Sequence, residues 1–233
     1  LGNTADATIT INNQVGISPA AITLAVNNST TFSGLAGAPG YTFSIFSGGG
    51  SINSSTGVFT APAVSGTTVV RVTDTLLGTA DATVTINAAL AISPASKTLA
   101  VNNVFTFSAT GGVSPYSYSI FSGSGSINAS TGAFTAPAVS GSTVVRVTDG
   151  LGNTSNATVT INNALAISPA APTITVADTQ TFTSSGGVSP YTYSIVSGTG
   201  GINSGTGVYT PAGAGTITVR STDAVGNTSD ATL

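Results

Sequence analysis

Cysteine, histidine, methionine, tryptophan and glutamate are all missing from the 233 residues. Without imidazole or thiol, the usual enzymatic bases, nucleophiles and soft-metal ligands are excluded. Charge is scarce too: charged residues make up 5% of the chain, against roughly 25% in ordinary soluble proteins. The four basic residues are Arg71, Lys97, Arg146 and Arg220, in a chain of net charge −3. They form no basic patch for a phosphate backbone, so no nucleic-acid partner is expected. No apolar run approaches the roughly 20 residues that cross a bilayer as a helix, so no membrane span is expected. The mean hydropathy of +0.39 then reflects Val, Ile and Ala in strands. The absence of cysteine is neutral as to compartment. There is no initiator Met and no targeting segment, which reads as a processed chain or an internal fragment.

What is present is turn-forming and β-forming. Gly 29 and Pro 10 stand among many Thr, Ser, Val and Ile, the mixture of short strands and tight turns. The sequence also repeats. "GISPA" at Gly16–Ala20 returns as "AISPA" at Ala91–Ala95 and Ala166–Ala170, a period of 75. "SGGGSIN" (Ser47–Asn53), "SGSGSIN" (Ser122–Asn128) and "SGTGGIN" (Ser197–Asn203) keep that period. "RVTD" at Arg71–Asp74 and Arg146–Asp149 becomes "RSTD" at Arg220–Asp223, one residue early, because "PAGAG" (Pro211–Gly215) is shorter than "APAVSG" (Ala136–Gly141). A long period of this kind marks an array of like units.

The middle copy reads as seven or eight short strands. "LAIS" (Leu90–Ser93) is broken by Pro94 and resumes as "TLAV" (Thr98–Val101), as suits an edge strand. "VFTFSAT" (Val104–Thr110) alternates, with Phe105 and Phe107 on one face. "YSYSIF" (Tyr116–Phe121) places Tyr116, Tyr118 and Ile120 together. "GSIN" and "GAFT" flank the turn "ASTG" as a short hairpin. "STVVRVTD" points Thr143, Val145 and Val147 inward and Arg146 outward, and "NATVTIN" aligns Ala157, Val159 and Ile161. This density of strands and turns is that of a β-sandwich. The third copy is expected to be weakest, with Ser221 in the place of Val72 and Val147, and Gln180 in the place of Phe105.

The stretch "SPYTYSIVSGTGGINSGTGVYTP…GTITVRSTDAVGNTSDATL" resembles bacterial immunoglobulin-like repeats of the cadherin-like, putative-Ig kind, strung in tandem along large surface and fibre proteins. The resemblance covers essentially the whole chain. It rests on the Tyr-x-Tyr-Ser-Ile strand, the "STG-x-F/Y-T-x-P" hairpin and the "VTD-x-x-GNT-x-x-ATVTI" ending. It implies the sandwich fold, and for function it implies spacers, adhesins, fibre subunits or appendages of secreted enzymes. Such families are often rigidified by calcium at acidic linkers. The junctions here, "INNQVGIS", "INAALAIS" and "INNALAIS", hold no acid.

The acidic residues offer the first candidate site. Asp74, Asp149 and Asp223 close the sixth strand, while Asp6, Asp81 and Asp230 open the last. Across a hairpin Asp74 could face Asp81, and Asp223 could face Asp230, as a calcium site would require; Asn156 breaks the pattern opposite Asp149. The plainer expectation is Asx turns capping a hairpin. A glycosidase pair is disfavoured, since the acids recur in every repeat. Tyr41, Tyr116 and Tyr191 could form a sugar-stacking row, but their period-two spacing points to core. Glycosylation sequons at Asn27, Asn28, Asn53, Asn128, Asn153, Asn156 and Asn227 are as frequent as chance supplies. Lys97, the only lysine, is matched by Ile22 and Pro172, which disfavours a Lys–Asn isopeptide clamp. No residue is assigned a catalytic, cofactor-binding or metal-binding role.

The expectation is an all-β chain of three tandem immunoglobulin-like β-sandwich repeats of about 75 residues in a rod. Residues 1–13 form the last strand of a preceding or neighbouring repeat. Repeats then occupy 14–88, 89–163 and 164–233, the last with its final strand truncated. The expected function is a structural segment of an extracellular or cell-surface bacterial fibre, self-associating into a rod or filament. The alternative is the stalk or binding module of an adhesin that recognises a glycan or host protein. Leu1–Ile11 aligns with Leu76–Ile86 and Leu151–Ile161, so the chain opens on a repeat's last strand. A window on a longer array accounts for that. The sharper expectation is strand donation, with Ala7, Ile9 and Ile11 completing the third repeat of another copy, Ala5–Ile11 lying beside Thr216–Thr222.

Overall fold

The computed structural model describes residues 5–233; Leu1–Thr4 of the opening phrase lie outside the described residues. Every regular element among the described residues is a strand. The chain divides into two compact units. One runs to Ala91 and takes in Ala109–Tyr116 and Thr148–Thr154; the other holds Ile92–Ser108, Ser117–Val147 and Ser155–Leu233.

In the first unit the strands are β1 (Gly16–Ser18), β2 (Ala21–Ala25), β3 (Ser29–Thr31), β4 (Ser33–Leu35), β5 (Thr42–Ser47), β6 (Ser51–Ile52), β7 (Val58–Thr60), β8 (Gly66–Thr73) and β9 (Thr79–Asn87). One sheet is ordered β2-β9-β8-β5 and the other β3-β7-β6, with β1 and β4 as a separate pair. β2 runs parallel to β9, with Leu24 opposite Ile86; β8 and β9 are antiparallel, with Gly66 opposite Ile86. Thr68, Val70 and Val72 alternate inward along β8, and Ala82, Val84 and Ile86 along β9. They meet Ile17, Leu24, Phe32, Phe43 and Phe59 in one core. Period-two burial on facing sheets is the signature of a sandwich. The chain is accordingly an all-β protein with immunoglobulin-like architecture.

The chain passes between sheets at two places in a repeat. The first is at the Ser18–Pro19, Ser93–Pro94 and Ser168–Pro169 bonds, all cis, which end the first strand of each repeat. The second crossing differs from the expectation for Val104–Thr110. That stretch is two strands, Val104–Thr106 and Ser108–Thr110, in different sheets. Phe107 stands between them, 1% exposed, and its N–H donates to the Gly132 carbonyl at 3.0 Å. Phe105 is only half-buried, yet its ring meets that of Phe107 edge-on with centres 5.1 Å apart, as the expected common face requires. Phe32 occupies the same crossing in the first unit, its N–H bonded to the Gly57 carbonyl at 2.9 Å. Gly57 has φ +70, and a Cβ there would stand 2.2 Å from the Phe32 carbonyl oxygen. Close approach of two backbones thus fixes the glycine of the recurring "STG" turn.

The third repeat departs from the pattern. The sheet that has four strands in the other two repeats has three here, Thr192–Ser197, Thr218–Thr222 and Thr228–Thr232, and Ala171–Thr179 contains no strand. Pro172, in the place of Ile22 and Lys97, has no N–H to give a ladder. Ser221, expected to weaken the core, is fully buried, but its hydroxyl shares a hydrogen bond with Ser184 at 2.6 Å. Its burial is therefore compensated.

Candidate functional site

Among the described residues the buried polar side chains are Thr68, Thr143 and Ser221 within strands and the three aspartates Asp74, Asp149 and Asp223 at turns. Asp74 accepts hydrogen bonds from the backbone N–H groups of Ala38 (2.9 Å), Leu76 (3.0 Å) and Gly78 (2.7 Å). Asp149 accepts from Val113, Leu151 and Asn153 N–H groups and from the Asn153 amide. Asp223 repeats the arrangement with Val188, Val225, Asn227 and the Asn227 amide. All three are buried. The Ala38 amide first, with those of Gly78 and Leu76, holds Asp74 below the usual carboxylate range against burial. Burial pushes Asp149 and Asp223 up, but the Asn side chains and backbone amides outweigh it and both titrate low. These carboxylates are anions saturated with N–H donors, arranged as turn caps.

Their hairpin neighbours look elsewhere. Asp81 forms a bidentate pair with Arg71, both contacts at 2.7 Å, and Asp230 does the same with Arg220. Arg71 and Asp81 are directly opposite across the strands, so the arginine takes the second acid while the turn takes the first. Asp74 with Asp81, and Asp223 with Asp230, therefore do not converge on a cation, and no three acidic groups gather among the described residues. Asp6 is exposed, in a stretch belonging to no strand. In the middle repeat Arg146 donates to the Asn156 carbonyl oxygen at 2.9 Å. Replacing that neutral partner, Asn156→Asp, is expected to recreate the bidentate pair and raise stability by less than about 1 kcal/mol at low salt. Urea melts at low and high salt check it, the gain shrinking as salt is added.

The basic residues also lie over rings. Arg71 is 3.7 Å from the Phe46 ring centre, Arg146 3.6 Å from that of Phe121, and Lys97 4.6 Å from that of Phe105. Guanidinium over an exposed ring covers apolar surface while keeping its charge wet. Tyr116 and Tyr191 donate their hydroxyls to the carbonyls of Gly111 and Gly186, both at 2.6 Å; Tyr41 does so to Ala36. The three rings are half-buried and tied to their own turns rather than lined up for a sugar.

The most regular polar feature is one that sequence reasoning misses. In the first unit Asn28 and Asn153 exchange both amide hydrogen bonds, at 3.0 and 2.9 Å, across 125 positions of sequence. In the second, Asn103 and Asn227 do the same at 2.8 and 3.0 Å across 124 positions. Beside each pair another asparagine donates to a glycine carbonyl: Asn87 to Gly112 and Asn162 to Gly187, both at 2.7 Å. Asn153 and Asn227 also hold the turn aspartates, so turn and clasp are one network. On sequence alone Asn28, Asn153 and Asn227 stand out only as sequons. The available signal is recurrence: Asn28 matches Asn103 at the repeat period, and Asn153 matches Asn227 once the one-residue deletion is allowed for. Asn53 and Asn128 instead accept N–H bonds from the residues two and three further on, capping their hairpins.

No protein-family model and no curated protein matches this chain. Solved structures do resemble it remotely. The C-terminal 282-residue fragment of intimin, in complex with the intimin-binding domain of the translocated intimin receptor, is 16% identical over 68% of this chain and 67% of its own, with a TM-score of 0.47. Mouse cadherin-23 EC22–24 is 17% identical over 95% of this chain and 97% of its own, at 0.29. Drosophila N-cadherin EC1–3 is 14% identical over 83% and 87%, at 0.26. These likenesses are too remote to bring the functions in those names to this chain.

Proposed function

We propose that the chain is a structural segment of an extracellular bacterial surface fibre or filament built from tandem immunoglobulin-like repeats, with no catalytic role. The observation that carries this reading is the recurring amide clasp, Asn28 with Asn153 and Asn103 with Asn227. It joins turns more than a hundred residues apart by the same neutral contact, once in each compact unit, as a repeated structural element does. The saturated turn carboxylates support it, since groups held as anions by three or more donors are poor proton carriers. So does the 5% charge, which leaves little repulsion between copies. Electron microscopy of the native material is expected to show uniform fibres. Monomeric particles with saturable binding on a glycan array would reverse the reading.

The second reading, an adhesin stalk or binding module, is favoured by one departure from the period. The turn Thr75–Gly78 exposes Leu76 at 70% and Leu77 at 82%. The matching turn of the middle repeat, Gly150–Asn153, has a single leucine, Leu151. An exposed aliphatic pair marks a contact surface for a protein.

A further inference from the structure

A groove of about 250 Å³ opens in the second unit between Ile174 and Val176 on one side and Gly215 and Ile217 on the other, with Tyr209 and Leu233 in its lining. The first repeat shows what belongs at this place in the fold. There Ile86 lies opposite Gly66 and beside Leu24, and is 3% exposed. Gly215 and Ile174 hold the corresponding positions of the third repeat. In the middle repeat Ile161 borders the equivalent depression, which is about 120 Å³. The groove therefore fits an extended segment that delivers a branched aliphatic side chain opposite Gly215.

The chain carries such a segment. Ala7–Asn12 reads ATITIN, and the strands that fill this place in the other two repeats read ATVTIN, at Ala82–Asn87 and Ala157–Asn162. Yet Ala5–Gln14 belong to no strand, and Ile9 and Ile11 are 84% and 90% exposed, where Val84 and Ile86 are 0% and 3%. Two long apolar side chains at strand spacing, held in water, are unmatched surface.

We propose that Ala5–Asn12 of one copy enters the third repeat of a second copy as its last strand, with Ile11 in the groove. The proposal rests on the fibre reading and names its joint: the partner is a second copy of this chain. The donor takes the place of Thr228–Leu233 beside Thr218–Thr222. Asp6 then replaces Asp230 opposite Arg220, Ala7 replaces Ala231 opposite Val219, and Ile9 replaces Leu233. The bonds exchanged are those of the present pairing, which includes the two between Ile217 and Leu233 at 3.0 and 2.9 Å. The bond from the Ile167 N–H to the Ser229 hydroxyl is given up, since Ala5 stands in that place. The pairings of Asp230, Ala231 and Leu233 are reproduced by like residues, and Ile11 adds a contact that Thr228–Leu233 cannot reach. Backbone pairing gives such an added strand its affinity, and the side chain that reaches the groove gives it register.

The absence of native cysteine makes the test direct. In the first repeat Thr67 and Thr85 are cross-strand partners; their counterparts in the joint are Thr216 of the acceptor and Thr10 of the donor. Thr10→Cys and Thr216→Cys, each made in the full chain, are mixed in equal amounts and mildly oxidised. The expected product is a mixed disulfide between Cys variants of the two kinds, dominant over either homodimer, and a ladder when both substitutions share one chain. Adding Ile11→Asp to the donor, an exposed position whose change leaves the fold intact, is expected to cut the mixed product about tenfold. Statistical mixing of all dimers, insensitivity to Ile11→Asp, or an unlinked monomer in sedimentation overturns the proposal. In a chain that runs past Leu233, unlinked monomer assigns the groove to that chain's own later residues. Fibres in native material without the mixed disulfide would leave the structural reading standing and remove the joint; the disulfide without fibres would do the reverse.

Discussion

Phe59→Ala is expected to destabilise the first unit by about 3–5 kcal/mol, the range for emptying a fully buried aromatic site. Phe59 is 0% exposed, packs edge-on against Phe32 with ring centres 6.3 Å apart, and sits in the core with Val70, Val72, Val84 and Ile86. Its neighbours cannot collapse into the space, because the strands on both sides are fixed by backbone pairing at Thr30 and Ile52. Urea unfolding followed by circular dichroism should show a lower midpoint. Hydrogen exchange should place the lost protection in the first unit. Phe46→Ala is the control: that ring is 58% exposed and gives up chiefly its contact with Arg71, worth about 0.5–1 kcal/mol. Equal losses at the two positions would refute the assignment of the core.

Asp149→Ala is expected to cost about 1–3 kcal/mol, because it takes the acceptor from four part-buried N–H donations. The donors left behind are the amides of Val113, Leu151 and Asn153 and the Asn153 side chain. The same geometry sets the acid response. Folding lowers the pKa of Asp149, as it does for Asp74 and Asp223. The unfolded chain therefore binds protons first as pH falls. The contribution of these groups is complete above the unfolded value of about 3.9 and is lost as pH drops through the lower folded values. Thermal melts should be flat between about pH 5 and 7 and fall steeply below about pH 4. Asp149→Ala should flatten the acid limb, since it removes one of the titrating groups; an unchanged limb would show that other acids govern it.

The strands were legible because burial in a sandwich writes a period of two into the sequence. Val145 and Val147, or Ala157, Val159 and Ile161, alternate so regularly that both face and register can be read. The crossing at Phe107 was not legible. FTFSAT alternates perfectly on paper and its two rings do meet edge-on, but only the pairing of each half shows that the chain changes sheet between Thr106 and Ser108. At the candidate sites, the turn role of Asp74, Asp149 and Asp223 came from local chemistry, since an aspartate that opens a tight turn bonds its own backbone. The choice of longer-range partners did not. Asp81 meets Arg71 because strand register sets them opposite, and Asn28 meets Asn153 across 125 positions. Such contacts depend on how the chain returns to itself, which no local window contains.

The clasp has a consequence for how one repeat can stand in for another. An asparagine pair that exchanges two bonds has no sense of direction: each side chain gives what it receives. A plug-and-socket pair would need two different, complementary side chains, whereas Asn28 and Asn103 each present the same half to Asn153 and Asn227. A segment displaced by one period therefore offers the same half of the clasp, as Asn28 and Asn103 do. Gly78 and Asp178, which stand at the matching positions outside the two pairs, are where that interchangeability stops.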